Sequence, residues 1–150
     1  RTMNDDYQYR ISNWLGLRQK LLVKIVEIDK ITTENLNTTS SQEKINSFCQ
    51  YLIDYISSGH FEIYHRLMET LENQSPLALD KINRILNSIQ DSTDIAVEFN
   101  DQYDMHNSKE IDALFRQRLS DLTESLAERF EMEDLLFDHC TNHYGQSLTA

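Results

Sequence analysis

The stretch FCQYLIDYISSGHFEIYHRLMETLE, from Phe48 to Glu72, decides the fold. Apolar residues recur every three or four positions on both sides of its centre, and this spacing predicts two amphipathic helices. The two apolar rows are Ile45, Phe48, Cys49, Leu52, Ile56 and then Phe61, Tyr64, Leu67, Met68, Leu71. Between them, Ser57-Ser58-Gly59 predicts a break, because glycine can leave a helix in a left-handed conformation without a Cβ penalty. The stretch therefore predicts a helical hairpin.

Outward from this hairpin, the same spacing predicts about five helices in all. The first helix is expected from Asp5 to Ile31, and the second from its cap at Ser40 to about Ser57. The third, fourth and fifth are expected from about His60 to Asn73, from Pro76 to about Tyr103, and from Lys109 to about His143. Ser40 with Glu43 predicts a capping box for the second helix. Ser75 and Pro76 predict the N-cap and first position of the fourth. Gly145 is expected to end the fifth, which leaves 145–150 as a frayed tail.

The three long helices outside the hairpin have predicted buried rows of their own. These are Ile11, Trp14, Arg18, Leu21, Ile25, Ile28; then Ile82, Leu86, Ile89, Thr93, Ala96, Asn100, Tyr103; and Phe115, Leu119, Leu122, Leu126, Arg129, Glu133, Leu136, Cys140. Long amphipathic helices joined by short polar turns are typical of an antiparallel bundle. The fold prediction is an all-α, elongated antiparallel helical bundle, monomeric rather than a coiled-coil dimer.

Length and composition support a single helical domain. The chain has 150 residues with only three Gly and one Pro, too few for the many turns of a β-sandwich or barrel. Arg1 and Thr2 precede Met3, and we interpret them as a cloning remnant. No apolar run reaches the roughly 18 residues of a spanning helix, and no signal peptide is visible, so we expect a soluble cytoplasmic protein. Cys49 and Cys140 are expected to be reduced.

The charge balance is strongly acidic. The chain has 14 Lys plus Arg against 25 Asp plus Glu, a formal charge of −11. Residues 98–138 alone contain 12 acids and 4 bases. Direct nucleic-acid binding is not expected, because it requires a basic face. An acidic surface favours basic protein partners, and the alternative is that the charge serves solubility alone.

A few polar residues interrupt the apolar rows. Arg18 lies between Trp14 and Leu21, and Glu133 lies in the row of the fifth helix. Charged side chains are rarely buried unless paired, so we predict that Arg18 and Glu133 meet in the core with His60 and Tyr64 nearby. The alternative is that these long side chains extend to solvent from the edge of each row.

Motifs for catalysis are lacking, and no enzyme activity or cofactor is predicted. The sequence has no glycine-rich phosphate loop, nucleophile elbow or HExxH. Glu62 and His65 have the spacing of a di-iron ligand pair, but a second copy and two more inward Glu would be needed. His139 and His143 are four apart at the end of a helix. A metal- or small-ligand-binding bundle remains the alternative function.

Three segments share their pattern with a known family. Phe48–Tyr64 matches FC-[QE]-x-L-x-DY-x-SAGHF-x-[IV]Y with Ser58 in place of the alanine, and W-L-x-x-R and ERFE-x-ED match at 14–18 and 128–134. On these segments the chain resembles the Rsd/AlgQ family of bacterial anti-sigma factors. Two departures are Ser12, where relatives commonly have an acid, and Gly16, where they have a larger residue.

The resemblance implies a regulator of transcription, active in stationary phase, that uses no cofactor. Proteins of this family bind region 4 of the primary sigma factor, which keeps that factor from core RNA polymerase and the promoter and favours alternative sigma factors. Region 4 is a basic helix-turn-helix that reads the promoter. An acidic bundle is a complementary partner for it, with no direct contact to nucleic acid or membrane.

One residue of the hairpin is expected to face this partner. Nine positions from Ile45 at about 100° each put Asp54 roughly opposite the buried row of its helix. With the resemblance, we predict that Asp54 belongs to an acidic patch for sigma region 4, together with Asp5 and Asp6 of the first helix. The alternative is an ordinary solvated aspartate.

Overall fold

Long helices make up most of the chain. A computed structural model describes residues 3–59, 64, 69, 75–104 and 110–148, and for residues 3–5, 7 and 139–148 it describes the backbone alone. The helices are α1 (Met3–Asp29), α2 (Thr39–Ser58), α3 (Pro76–Tyr103) and α4 (Phe115–Leu148). Every regular element in the described ranges is helical, which confirms the all-α prediction. The predicted helix from His60 to Asn73 lies outside those ranges except for Tyr64 and Glu69, which are helical.

The helices pack in antiparallel order through aromatic contacts. Along α1 and α2, Trp14 stacks on Tyr55 at 5.4 Å between ring centroids, and Lys24 lies 5.4 Å from the ring of Tyr51. The remaining ring contacts, with their centroid distances, are Phe48–Phe99 at 5.8 Å, Tyr103–Phe115 at 5.1 Å and Trp14–Phe137 at 4.9 Å. The closest helix pairs are α1 with α2, α2 with α3 and α3 with α4. Tyr55 and Trp14 also bring α2 and α1 against α4, so α1 and α3 occupy opposite corners of the bundle.

The starts of α2 and α3 follow local capping chemistry, whereas α1 runs from Met3 to Asp29 instead of the predicted Asp5 to Ile31. Ser75 caps α3 by accepting from the Ala78 amide at 3.3 Å, with Pro76 next, as predicted. The N-cap of α2 is Thr38 rather than Ser40, and its hydroxyl accepts from the Ser41 amide at 3.2 Å. A threonine hydroxyl can satisfy a free first-turn amide, as serine can, and here Thr38 does so.

The predicted bounds of α4 are wrong at both ends. The helix begins at Phe115 rather than Lys109, because Asp112 forms a turn that accepts from the Leu114 amide at 3.1 Å. It then runs to Leu148, past the predicted stop at Gly145, so the backbone of 145–148 is helical. A lone glycine lowers helix propensity by about 1 kcal/mol relative to alanine, which does not by itself end a long helix.

The buried rows of α2 and α4 are those predicted. On α2 the row is extended by Ser41 and Tyr55, and on α4 it is buried from Phe115 to Leu136, beyond which Cys140 lies outside the described side chains. The row predicted for α3 is partly wrong, because the buried positions are Ile82, Ile85, Ile89, Ser92, Ala96, Phe99 and Tyr103. On α1, Trp14, Leu21 and Ile28 are buried, and Ile11, Arg18 and Ile25 are half-buried.

Gly59 does not adopt the left-handed conformation that the sequence predicts. Its φ and ψ are −58° and −50°, so the chain stays right-handed through this residue. What the glycine provides is space. A Cβ at this position would lie 3.2 Å from Trp14 Nε1 and 3.2 Å from the Tyr64 hydroxyl. The residue is therefore needed for a close approach of two aromatic side chains to the backbone.

Two connections meet at one end of the bundle. The Asn37 side chain in the α1–α2 loop accepts from the Ile111 amide at 2.8 Å and donates to the Ile111 carbonyl at 3.3 Å. The Arg116 guanidinium at the start of α4 donates to the carbonyl oxygen of Ile31 and, at 3.5 Å, to that of Asp29. These contacts fix the end of α1 against the beginning of α4.

Of the helices in the described part of the chain, none combines the length and apolar character that crossing a bilayer requires.

Candidate functional site

A buried carboxylate lies at the centre of the bundle. Glu133 on α4 is 1% exposed, and both of its oxygens accept hydrogen bonds from tyrosine hydroxyls. Tyr55 donates to Oε1 at 2.7 Å, and Tyr64 donates to Oε2 at 2.5 Å. Two guanidinium groups approach the same carboxylate, with Arg18 Nη2 and Arg129 Nε each at 3.6 Å. We call these five residues the buried polar cluster.

Arg18 connects the cluster to the surface. Its Nε donates to the Tyr55 hydroxyl at 3.1 Å, and its Nη1 donates to Asp134 Oδ1 at 2.8 Å. The guanidinium carbon lies 5.1 Å from the centroid of Trp14 and 4.8 Å from that of Phe130, within the range of cation–π contacts. The Arg18 side chain is 13% exposed and that of Asp134 is 60% exposed, so this ion pair leads from the cluster to the surface.

Arg129 connects the cluster to α3. Its Nη2 donates to the Tyr64 hydroxyl at 3.1 Å. Its Nη1 donates to Thr93 Oγ1 at 2.8 Å and to Ser92 Oγ at 3.0 Å. The residue is 1% exposed, and burial of an arginine is tolerated only when its charge and its donors are matched. Glu133 supplies the charge, and Tyr64 and α3 supply acceptors for the two Nη groups, whereas Nε faces Glu133 at 3.6 Å without a hydrogen bond.

The hydrogen bonds fix the protons in the cluster. Each tyrosine hydroxyl accepts from an arginine and has one proton, which it gives to Glu133. Glu133 therefore acts as an acceptor at both oxygens, as a carboxylate does. Burial raises its pKa above the ordinary value, whereas Arg129, the two hydroxyls and Arg18 act in the opposite direction. Burial, followed by the charge of Glu133, also raises the pKa of both tyrosines, so their hydroxyls stay protonated.

The structure places three of the four predicted cluster residues together. Arg18, Tyr64 and Glu133 are joined through the contacts above, and His60 lies outside the described residues. Tyr55 and Arg129 are further members that the sequence analysis did not include. Both carried a signal, since Tyr55 follows Leu52 of the predicted α2 row by three positions and Arg129 is itself a member of the row predicted for α4.

The predicted partner-binding acids lie on α1 and α2. Asp54 is exposed, and Gln50 Nε2 donates to its Oδ1 at 3.4 Å. It directly precedes Tyr55, so the cluster fixes the backbone that carries it. Asp6 is half-buried on α1, and the side chain of Asp5 lies outside those that are described.

Another acidic surface lies where α3 approaches the residues before α4. An open cleft of about 580 Å³ is lined by Asp94, Val97, Glu98, Asp101, Gln102, Tyr103, Glu110 and Asp112. Tyr103 donates from its hydroxyl to Asp112 Oδ1 at 2.9 Å. The negative charge of the chain is therefore spread over more than one face.

Metal binding gains no support from the described residues. Among them, no group of three or more His, Cys, Asp or Glu side chains could hold a metal ion. Glu62 and His65 lie outside the described ranges, as do the side chains of His139 and His143.

Comparison with known proteins identifies the family. The family model described as "Regulator of RNA polymerase sigma(70) subunit, Rsd/AlgQ" matches residues 4–141. A protein named regulator of sigma D from Yersinia enterocolitica is 34% identical over 131 residues, which cover 84% of this chain and 77% of that protein. A protein of the same name from Salmonella paratyphi A is 32% identical over 136 residues, covering 84% and 78%. The resemblance seen in the motifs is confirmed, and the chain belongs to the Rsd/AlgQ family of regulators of the RNA polymerase sigma(70) subunit.

Proposed function

We propose that the protein is an anti-sigma factor that binds region 4 of the primary sigma factor. In this role it keeps the factor from core RNA polymerase and so favours alternative sigma factors. Membership of the Rsd/AlgQ family supports the proposal, as do relatives named for the regulation of sigma D. We further propose a cytoplasmic monomer that forms a one-to-one complex and needs no cofactor.

The observation that carries the proposal is the exposure of Asp54 within the segment most like the family. Asp54 extends from α2 into solvent, while its neighbour Tyr55 is fully buried. Core packing therefore does not explain an acid at this position. A helix-turn-helix built to contact phosphates presents basic side chains, and a protein of net charge −11 attracts them.

The buried polar cluster has a supporting part in this proposal. Tyr55, Glu133 and Arg18 connect α2, α4 and α1 through hydrogen bonds of 2.7 and 3.1 Å. Because the Tyr55 hydroxyl is held, the turn of α2 that carries Asp54 has a fixed position relative to α1. A rigid acidic surface loses less conformational entropy when a partner binds than a mobile one does.

The test is charge reversal at Asp54 with a matched control. Asp54→Lys should weaken binding to purified region 4 roughly tenfold at low salt, and the loss should shrink as salt rises. Asp94→Lys is the control, because Asp94 is also exposed and also accepts from a glutamine four residues earlier, at 3.0 Å from Gln90. It lies on α3, at the opposite corner of the bundle from α1.

Affinity is measured by calorimetry, and the melting temperature of each variant is compared with wild type. Both variants should melt close to the wild-type temperature, and Asp94→Lys should bind as wild type does. Equal affinity of Asp54→Lys and wild type at low salt would remove Asp54 from the interface. A wild-type protein that does not bind region 4 would refute the proposed function itself.

A further inference from the structure

Helix α1 has apolar residues on the side that faces away from the bundle. Leu15 and Leu22 are 42% and 44% exposed, and Val23 and Val26 are 54% and 57% exposed. Ser12, Gly16 and Gln19 lie among them at helical spacing, so this side contains no charge from Ser12 to Val26 except at its edges. We call these seven residues the outward face of α1. A helix that buries one side normally has charged residues on the other.

An acidic row on α4 borders the outward face. Arg18 lies three residues after Leu15 and four before Leu22, so it is next to both on the helix surface. Its hydrogen bond of 2.8 Å to Asp134 brings α4 alongside these leucines. On α4, Glu131, Asp134 and Asp138 are exposed and spaced by three and four residues, so they share one side. An uncharged apolar strip thus lies beside a row of carboxylates.

Gly16 leaves a gap in the outward face. Apart from its chain neighbours and the backbone of its own helix turn, a Cβ added there would meet no atom within 4 Å. Val23 lies seven residues further, two turns along the same side of the helix. The face therefore has projecting side chains with an open position among them, which can receive a side chain from a partner helix.

The charge around the outward face indicates which kind of partner can bind there. A second copy of this chain would add a second molecule of net charge −11 and another acidic row close by. A helix with an apolar side flanked by Lys or Arg matches both the strip and the row. Contiguous exposed apolar residues rimmed by charge mark protein interaction sites.

We propose that the outward face of α1, with the acidic row of α4, holds a basic amphipathic helix of sigma region 4. This assignment rests on the proposed function and names the surface that supplies its apolar contacts. Leu15, Leu22 and Val26 contact the apolar side of that helix. Asp134 and its neighbours on α4 face its basic edge, and Asp54 contributes charge from α2.

The experiment removes apolar surface without changing charge. The double variant Leu15→Gln with Leu22→Gln should raise the dissociation constant for purified region 4 by roughly 10- to 100-fold. The control is Ile95→Gln with Val97→Gln, since both residues are 40% exposed and lie on α3 at the opposite corner. Calorimetry over a range of temperatures gives the heat-capacity change of binding, which is negative when apolar surface is buried.

Each outcome of the experiment decides the assignment. The assignment would be supported if the α1 variant alone bound region 4 more weakly and with a smaller heat-capacity change. Its affinity should keep the salt dependence of the wild type. Unchanged affinity of that variant would overturn the assignment and leave the proposed function standing. Equal weakening by both variants would also overturn it. A wild-type dimer in sedimentation that the α1 variant dissociates would show that a second copy occupies the face. Failure of the wild type to bind region 4 would refute both proposals.

Discussion

Replacement of Glu133 by glutamine should destabilise the fold by about 3–5 kcal/mol, the usual cost of removing one partner from a buried ion pair. Two guanidinium groups lie 3.6 Å from this carboxylate, and one of them, on Arg129, is fully buried. Without the negative charge, Arg129 keeps its acceptors on α3 but loses its counter-ion. The glutamine amide would also present N–H donors to a tyrosine hydroxyl whose own proton needs an acceptor, a mismatch of about 1–3 kcal/mol within that total.

Arg18→Met tests the same cluster from α1. The methionine keeps an apolar stem near Trp14 and Phe130 but loses the hydrogen bonds to Tyr55 and Asp134. Because the side chain is 13% exposed, we expect a loss of about 1–3 kcal/mol. Since Arg18 and Glu133 share an interaction, the double variant should lose less than the sum of the two single losses, by about 0.5–3 kcal/mol.

Urea unfolding followed by far-ultraviolet circular dichroism measures these free energies. Glu131→Gln is the matched control, because Glu131 is exposed on the same helix and its replacement should change stability by less than about 0.5 kcal/mol. Losses below about 1 kcal/mol for both Glu133→Gln and Arg18→Met would refute the reasoning, because exposed pairs have values in that range.

Further predictions concern glycine and cysteine. Gly59→Ala should destabilise the fold by about 1–3 kcal/mol, because its Cβ would crowd Trp14 and Tyr64. Gly16→Ala, whose Cβ has open space, should stabilise the fold by about 0.5–1 kcal/mol. Thermal unfolding compares the two variants, and a gain in stability for Gly59→Ala would contradict the crowding. Burial, and next the charge of Asp104, raises the pKa of Cys49 to about 12. In a Cys140→Ser background, the Cys49 thiol should therefore react with a disulfide reagent only when the protein unfolds. Rapid reaction of the native protein would show that Cys49 is accessible.

The sequence predicted the buried rows best where apolar residues stood alone. Along α4, Leu119 and Leu122 each lie between two polar residues, so they define one row, which the other buried positions continue at helical spacing. Along α3 the choice was ambiguous, because Ile85 and Leu86, and Ser92 and Thr93, are adjacent pairs that both satisfy helical spacing. Packing against α2 and α4 selected Ile85 and Phe99, and periodicity contains no information about those neighbours.

The polar contacts were harder to predict than the rows. The position of Arg18 and Glu133 in apolar rows indicated which helix sides they occupy, and the structure has them 3.6 Å apart. Tyr55 was missed because the predicted row of α2 passes from Leu52 to Ile56, although Tyr55 also satisfies helical spacing from Leu52. The role of Gly59 was misjudged because a glycine permits a left-handed backbone without requiring it, and local sequence contains no information about the approach of Trp14 from another helix.

The paired hydrogen bonds between Asn37 and Ile111 connect two loops that are 74 residues apart in the chain. Surface loops usually tolerate insertions and exchanges independently of one another. Here the Asn37 amide imitates the edge of a peptide strand, with one donor and one acceptor at a fixed separation. Aspartate lacks the donor and glutamine is one carbon longer, so neither preserves both bonds. Substitutions or deletions in one loop therefore affect the other loop. A shortened or exchanged α1–α2 loop has to be matched to the residues that precede α4.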